Sequence, residues 1–295
     1  MFQYLLYKIG QGLIHCVPRS WAYALALFLS DWHFRFSTKD REAVIANLRH
    51  ITGSDQNVEP RARQVFRNFG RYLVDFFFMY QVNDHFLRDQ LRIEGREHLE
   101  AALAMHKGVI ILTAHIGNWE MGAAVLAKMG HKLTAIALPH KQKLVNGLFN
   151  RQRIAHGVTV VPTSVSVRKC VEALRRGELI ALLGDRDFGA FGELLPFLGR
   201  MTHIPKGAAF FSMKTKAPIL PSFLVPDGKG GYVLSFFEPI YPSCAVAGEA
   251  FSAIQQIMRR YVSVIERKIV EDPAQWLMFR QFGVENEGLH THSGV

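Results

Sequence analysis

The chain has 295 residues, 49% of them hydrophobic, and a formal net charge of +10 at pH 7. That is enough apolar material to pack one large domain, which excludes a disordered or fibrous chain. A pI of about 9.6 favours an anionic partner: a membrane surface, an acidic carrier protein, a phosphorylated lipid or nucleic acid. Three scattered cysteines (Cys16, Cys170 and Cys244) with no C-x-x-C indicate neither a zinc site nor a disulfide framework and fit a reducing compartment.

Residues 2–16 place Phe2, Leu5, Leu6, Ile9, Leu13 and Cys16 on one helical face. Pro18 breaks that helix, and Ser20 is placed to cap a second, Trp21 to about Phe34, which carries Trp21, Tyr23, Phe28, Trp32 and Phe34. Its apolar run, Trp21 to Leu29, is far short of the ~20 residues of a spanning helix, and no signal-peptide pattern precedes it. The pair reads either as an interfacial anchor or as a hairpin packed on the domain. Ser37 opens a third helix that Gly53 ends, and Pro60 starts a fourth with Phe66, Phe69, Leu73, Phe77 and Tyr80 on one face. Arg63, Arg67 and Arg71 recur beside that face. Like charges at i, i+4 repel and no acid is in view to compensate, so the stripe reads either as a solvated helix face, the usual case, or as a site for an anionic partner.

From Leu91 the pattern alternates. Strands are expected at Leu91–Ile93, Val109–Leu112, Leu133–Leu138, Val158–Val161 and Leu179–Leu183. A loop from Gly184 to Pro205 follows, then a helix over Gly207–Lys216, strands Ile219–Val225 and Tyr232–Phe237, and a long helix Glu249–Ile269. Strands separated by helices predict an α/β fold with a mainly parallel sheet flanked by helices, preceded by an N-terminal helical region. The expected division is 1–89 helical and membrane-associating, 90–282 the α/β core, and 283–295 a flexible tail.

The chemistry centres on Gly108–Glu120, GVIILTAHIGNWE. Val109 to Leu112 is the pattern of a strand buried on both faces. Gly117 permits a tight turn after His115, and Asn118 is a good N-cap for a helix running to about Met129. His115 is thereby predicted at the carboxyl end of a parallel strand, where α/β sheets bind ligands. A histidine there can act as general base, better if a carboxylate fixes its tautomer, and Glu120 is near enough in sequence to do so. No G-x-S-x-G elbow accompanies it, so the hydroxyl to be activated belongs to a substrate. A His followed five residues later by an acid is expected about once by chance in such a chain. His50 and Asp55 form a second match, at a polar helix end. A second rim of charge follows Leu179–Leu183: Asp185, Arg186 and Asp187, which cannot enter the core unpaired.

His115-Ile-Gly-Asn-Trp-Glu120 resembles the H-x4-D/E block of bacterial lipid A biosynthesis acyltransferases, the late lauroyl and myristoyl transferases, which are related to phosphatidylinositol mannoside and glycerolipid acyltransferases. The resemblance runs from about residue 5 to 282. It takes in Asp185 after its strand, Arg153 (or Arg151) in the helix before Gly157, the stretch 195–209, and Asp272-Pro-Ala-Gln-Trp-Leu-Met-Phe279. Pro139-His140-Lys141 departs from the family's Arg-Pro at that place. The resemblance implies an O-acyltransferase at the cytoplasmic face of the inner membrane. His115 and Glu120 are then catalytic, and Asn118, Arg153, Asp185 and Arg186 bind substrate. It also implies a thioester co-substrate on acyl carrier protein or coenzyme A, with no other cofactor and no metal, and partners that are anionic membrane lipid, a lipid acceptor and acyl carrier protein. Backbone N–H groups at Gly117–Asn118, or Arg153, are the expected oxyanion donors. Two other readings compete: a hydrolase using the same pair on water, and a basic nucleic-acid-binding module, although no zinc finger, RNP-like strand or Lys/Arg block supports the latter.

Overall fold

A computed structural model describes residues 12, 17–137, 142–187, 192–242 and 250–284. The expected helix over 2–16, the Pro139-His140-Lys141 stretch and the tail from 285 lie outside these residues, apart from the single residue 12.

Three long helices come first: α1 (Arg19–Phe36), α2 (Thr38–Thr52) and α3 (Val58–Phe77). The first begins two residues before the expected Trp21, because the Pro18 carbonyl accepts from Trp21 N and Ala22 N, and Ser20 caps nothing. Gly53 ends the second in the left-handed region, as its sequence position predicts. Two of the three arginines of the α3 stripe are compensated after all. Asp31 of α1 accepts from Arg63 Nε and Nη2 at 2.7 Å each, and from Arg67 Nε at 2.8 Å and Nη2 at 2.7 Å. The expectation failed because the acid sits on a neighbouring helix, where i, i+4 spacing cannot reveal it. Burial of α1 against α3 is one-sided. Trp21, Leu25, Phe28, Leu29, Trp32 and Phe36 remain exposed along its outer face, Trp21 at 71%.

A short helix, α4 (Asp84–Asp89), leads into the alternating part: β1 (Leu91–Glu94), α5 (Arg96–Leu103), β2 (Val109–Thr113), α6 (Trp119–Lys128), β3 (Leu133–Ala137), α7 (Lys143–Ala155), β4 (Val158–Pro162), α8 (Ser166–Arg175), β5 (Leu179–Leu183), β6 (Glu193–Phe197), β7 (Arg200–Ile204), α9 (Gly207–Thr215), β8 (Ile219–Pro226), β9 (Tyr232–Phe236) and α10 (Ala250–Glu271). Seven strands form one sheet in the order β1-β9-β8-β2-β5-β3-β4, parallel except for the β8–β9 pair. β2 is central, and its side chains alternate between two cores. Ile110 and Leu112 pack with α8, α9 and α10, while Val109 and Ile111 pack on the α6 face. Its fully apolar sequence is thus explained by burial on both sides.

The expected loop from Gly184 to Pro205 contains a hairpin, β6–β7. Its turn is Leu198-Gly199, both at positive φ, and Leu195, Phe197, Thr202 and Ile204 face inward. Pro196 in the first strand, on the exposed side, hides the pattern from a strand search. The C-terminal segment after α10 crosses the carboxyl end of the sheet. Ile116 forms an antiparallel bridge with Trp276, Gly117 N donates to Gln275 O, and Leu277 N donates to His115 O. The helical region holds that segment in place: Asn68 Nδ2 donates to Ala274 O at 2.9 Å and Asn47 Nδ2 to Arg280 O at 2.8 Å.

Candidate active site

His115 stands directly beyond β2, at the carboxyl edge of the sheet. Its turn can be built only with glycine at 117. The residue sits at φ +60°, and a Cβ there would lie 2.2 Å from Leu224 O. Asn118 then caps α6, its Oδ1 accepting from Met121 N at 3.0 Å while its own N–H donates to Leu224 O. Trp119, the first residue of the helix, sets its ring edge-on to the imidazole with centroids 4.8 Å apart, and stacks on Tyr72 of α3 at 4.5 Å.

The carboxylate that orients His115 is Asp185. His115 Nδ1 lies 2.8 Å from Asp185 Oδ1, and the His115 backbone N–H donates to Oδ2 at 3.2 Å. Trp276 Nε1 donates to the same Oδ2 at 2.9 Å. A carboxylate only accepts, so Nδ1 carries the proton and Nε2 is left with its lone pair. Nε2 makes no hydrogen bond among the described residues. Burial would raise the Asp185 carboxyl, but His115, Arg186 and Trp276 outweigh it and hold it well below the usual carboxylate range. Burial pushes the His115 imidazole below its ordinary value, and Arg186 and Arg280 push the same way against Asp185. A neutral imidazole beside a fixed carboxylate is a general base.

Glu120 is engaged elsewhere, which corrects the expectation that it orients His115. Standing on the first turn of α6, it receives Arg153 of α7 side-on, Nε to Oε2 at 2.9 Å and Nη2 to Oε1 at 2.5 Å. Both side chains are largely buried. Burial alone would lower the Arg153 guanidinium, and Glu120 more than reverses it. Five residues of sequence separate His115 from Glu120, but the helix that starts between them turns the acid toward α7. Asp185 is 70 residues away and arrives because β5 pairs with β2 in register, Thr113 opposite Leu183.

The expected oxyanion donors are also committed. Gly117 N–H is taken by Gln275 O, Asn118 N–H by Leu224 O, and Arg153 by Glu120. Arg186 lies over the dyad. Its Nη2 donates to Leu277 O, and its Nε is 3.8 Å from Asp185 Oδ2. Burial pulls this guanidinium down to about 10 against Asp185, so it stays charged at neutral pH. Trp276 and Arg280 belong to the site and were not singled out from the sequence. Trp276 was visible only as part of the Pro-Ala-Gln-Trp block. The second spaced pair dissolves into structure: His50 Nε2 meets Leu198 O at 2.6 Å, and Asp55 pairs with Arg49. Behind Trp119, between α6 and the sheet, lies an apolar cavity of about 30 Å³ lined by Ile111, Thr113, Gly122, Leu126, Ala181 and Leu224.

A histidine fixed by a buried carboxylate at the carboxyl edge of a mainly parallel sheet fits an acyltransferase, and sequence comparison agrees. The profile of the bacterial lipid A biosynthesis acyltransferases matches residues 1–282, and the chain belongs to that family. It is 28% identical over 249 residues to a phosphatidylinositol mannoside acyltransferase of Mycobacterium tuberculosis, covering 81% of this chain and 76% of that one. It is 24% identical over 246 residues to the lipid A biosynthesis palmitoleoyltransferase of Escherichia coli, covering 81% and 77%. With the lauroyltransferase of the same organism it shares 21% over 298 residues, 97% and 94% of the two chains.

Proposed function

We propose that the protein moves a fatty acyl chain from a thioester, on acyl carrier protein or coenzyme A, to a hydroxyl of a lipid acceptor, a lipid A precursor or a related glycolipid. The observation that carries this reading is the Asp185–His115 pair, which leaves Nε2 free beside the strand end. Nε2 takes the proton of the acceptor hydroxyl as its oxygen attacks the thioester carbonyl. The tetrahedral intermediate re-forms the carbonyl and breaks the C–S bond, and the departing thiolate receives the proton from His115. Asp185 stabilises the imidazolium between the two steps without taking a proton itself. No acyl-enzyme intermediate is required. Glu120 and Arg153 act one step removed, tying α6 to α7 beside Trp119. The test is a transfer assay with long-chain acyl thioester and vesicle-borne acceptor, read by mass spectrometry of the lipid. Ester formation that depends on the acceptor supports the reading. Free fatty acid formed equally without acceptor makes the protein a hydrolase.

The same reading sets the enzyme on the cytoplasmic face of the inner membrane, peripherally. No helix among the described residues is long and apolar enough to cross a bilayer. The outer face of α1 instead offers Trp21, Phe28, Trp32 and Phe36, at least 59% exposed each, with no charge on the exposed face between Trp21 and Trp32. Tryptophans at both ends of an apolar helical stripe are suited to the headgroup region. Arg63 and Arg67 contribute less than their spacing promised, because Asp31 already neutralises part of their charge. Sedimentation with anionic vesicles tests this. Trp21, Phe28 and Trp32 changed together to Ser should abolish most binding at every salt concentration, and unchanged sedimentation would move the anchor elsewhere.

A further inference from the structure

Asn118 has two polar ends, and its position in the helix explains one of them. Capping α6 requires an acceptor for Met121 N, which Oδ1 supplies at 3.0 Å. A serine or an aspartate would cap as well. The other end, Nδ2, is buried and donates to nothing among the described residues, in a residue only 2% exposed. Leaving a buried amide nitrogen unpaired is unfavourable, and a Ser cap would avoid it. With Oδ1 turned in toward the helix, the planar amide turns Nδ2 out of it, ahead of the first turn, three residues after His115.

A second unfilled donor comes from the other side. Arg186 Nε is also buried without a hydrogen-bond partner among the described residues. β2 lies between β8 and β5 in the sheet. Asn118 is held against β8 through Leu224, and Arg186 follows β5, so the two donors flank the strand end that carries His115. The backbone donors expected at this turn are already taken. What remains among the described residues are two buried side-chain N–H groups without an acceptor, one in the turn after β2 and the other just past β5, held by the cap and by Leu277 O.

Resting on the acyl-transfer reading, we infer that Asn118 Nδ2, with Arg186 Nε opposite, donates to the carbonyl oxygen of the thioester and holds the oxyanion of the tetrahedral intermediate. When the acceptor oxygen bonds to the carbonyl carbon, the C=O π pair moves to that oxygen and the proton moves to His115. The negative charge then sits where both donors lack an acceptor. Both hydrogen bonds strengthen as the carbonyl oxygen takes on full charge, which is the condition for a donor to favour the transition state over the ground state.

Asn118→Ser and Asn118→Asp separate this role from capping, since both retain the cap. Thiol release from a long-chain acyl-CoA is followed alongside ester formation. In both variants kcat should fall ~10²–10³-fold or more, and in the Ser variant KM and the unfolding midpoint should change little, whereas Asp also lowers the midpoint because it buries an unpaired carboxylate. Asp should be the worse, because it sets a carboxylate against the oxyanion. A long-chain phosphonate monoester, whose anionic oxygens imitate the intermediate, should lose affinity for the Ser variant in the same proportion, while acyl-CoA binding holds. If Asn118 only caps, Ser and Asp retain wild-type kcat and phosphonate affinity, and that result overturns the inference while leaving acyl transfer standing. Wild-type enzyme that releases no thiol from any acyl thioester overturns both.

Discussion

Two carboxylates among the described residues are almost wholly buried, Asp185 at 1% and Asp75 at 2% exposure, and they do opposite things. Asp185 faces His115 and Trp276. Asp75 faces Arg19, with Nη2 at 2.8 Å, and the hydroxyls of Tyr23 and Tyr232. Each satisfies its charge with charge-assisted hydrogen bonds, as a buried carboxylate must. The difference lies in the partners. Burial and Asp75 push both phenols far above their usual range, and Tyr23 and Asp75 hold Arg19 above its own despite burial. No proton in that cluster can leave near neutral pH. Across from Asp185, the imidazole has a second nitrogen and titrates below its ordinary value. A buried carboxylate becomes chemically useful when its partner has a spare site, and becomes a fastening when it has none.

The comparison breaks most visibly at His115. His115→Ala should remove ~10²–10⁴ of the transfer rate with unfolding unchanged, and a purified variant that keeps most of its activity would take His115 out of the mechanism. Asp185→Asn should cost nearly as much, and its pH profile carries a sign. The base works when neutral, so kcat/KM falls as pH drops through the lowered His115 pKa, below the ordinary 6.5. Asp185 is the group that raises that pKa, so the variant's acid limb should move to still lower pH. Movement upward would mean that Asp185 does not act on His115 in this way.

At the other carboxylate the expected loss is of stability. Asp75→Asn leaves Arg19 partly buried without its counter-charge and should destabilise by about 3 kcal/mol, the low end for a broken buried pair because Arg19 keeps 22% of its side chain in water. Tyr232→Phe should cost about 2 kcal/mol, as for a hydrogen bond to a charged group. In both, activity per folded molecule should match the wild type. A fall in kcat without a fall in the denaturation midpoint would show that the two clusters communicate. The smallest effect belongs to Asp31→Asn. Stability should fall by about 1 kcal/mol or less at this half-buried site, but Arg63 and Arg67 are released, so binding to anionic vesicles should rise at low salt and return to wild type at high salt.

Much of this was legible in sequence because burial on both faces writes itself into composition. Val109–Leu112 and Leu179–Leu183 could be nothing but inner strands, and Gly117 with Asn118 announced the turn and helix that follow. Contacts that depend on strand order were not legible. Nothing in the chain says that β5 lies beside β2, so the sequence puts Asp185 on the right rim without showing its contact with His115, while Glu120 looks nearer than it is. The Asp31 clamp failed to register for the same reason, an acid on one helix answering arginines on another. The β6–β7 hairpin was hidden by its proline and by a turn in which a leucine, Leu198, takes positive φ.

The Asp75 cluster has a consequence for the order in which the protein comes into being. Arg19, Tyr23 and Asp75 leave the ribosome close together, but Tyr232 is encoded 157 residues after Asp75. At ordinary bacterial rates of synthesis that is a delay of roughly 8–30 s. During that interval Asp75 has only Arg19 and Tyr23 as partners, and the residues of the exposed aromatic face of α1 are already made. The tie from Asp75 to the sheet can therefore close only after the other strands of that sheet have been synthesised.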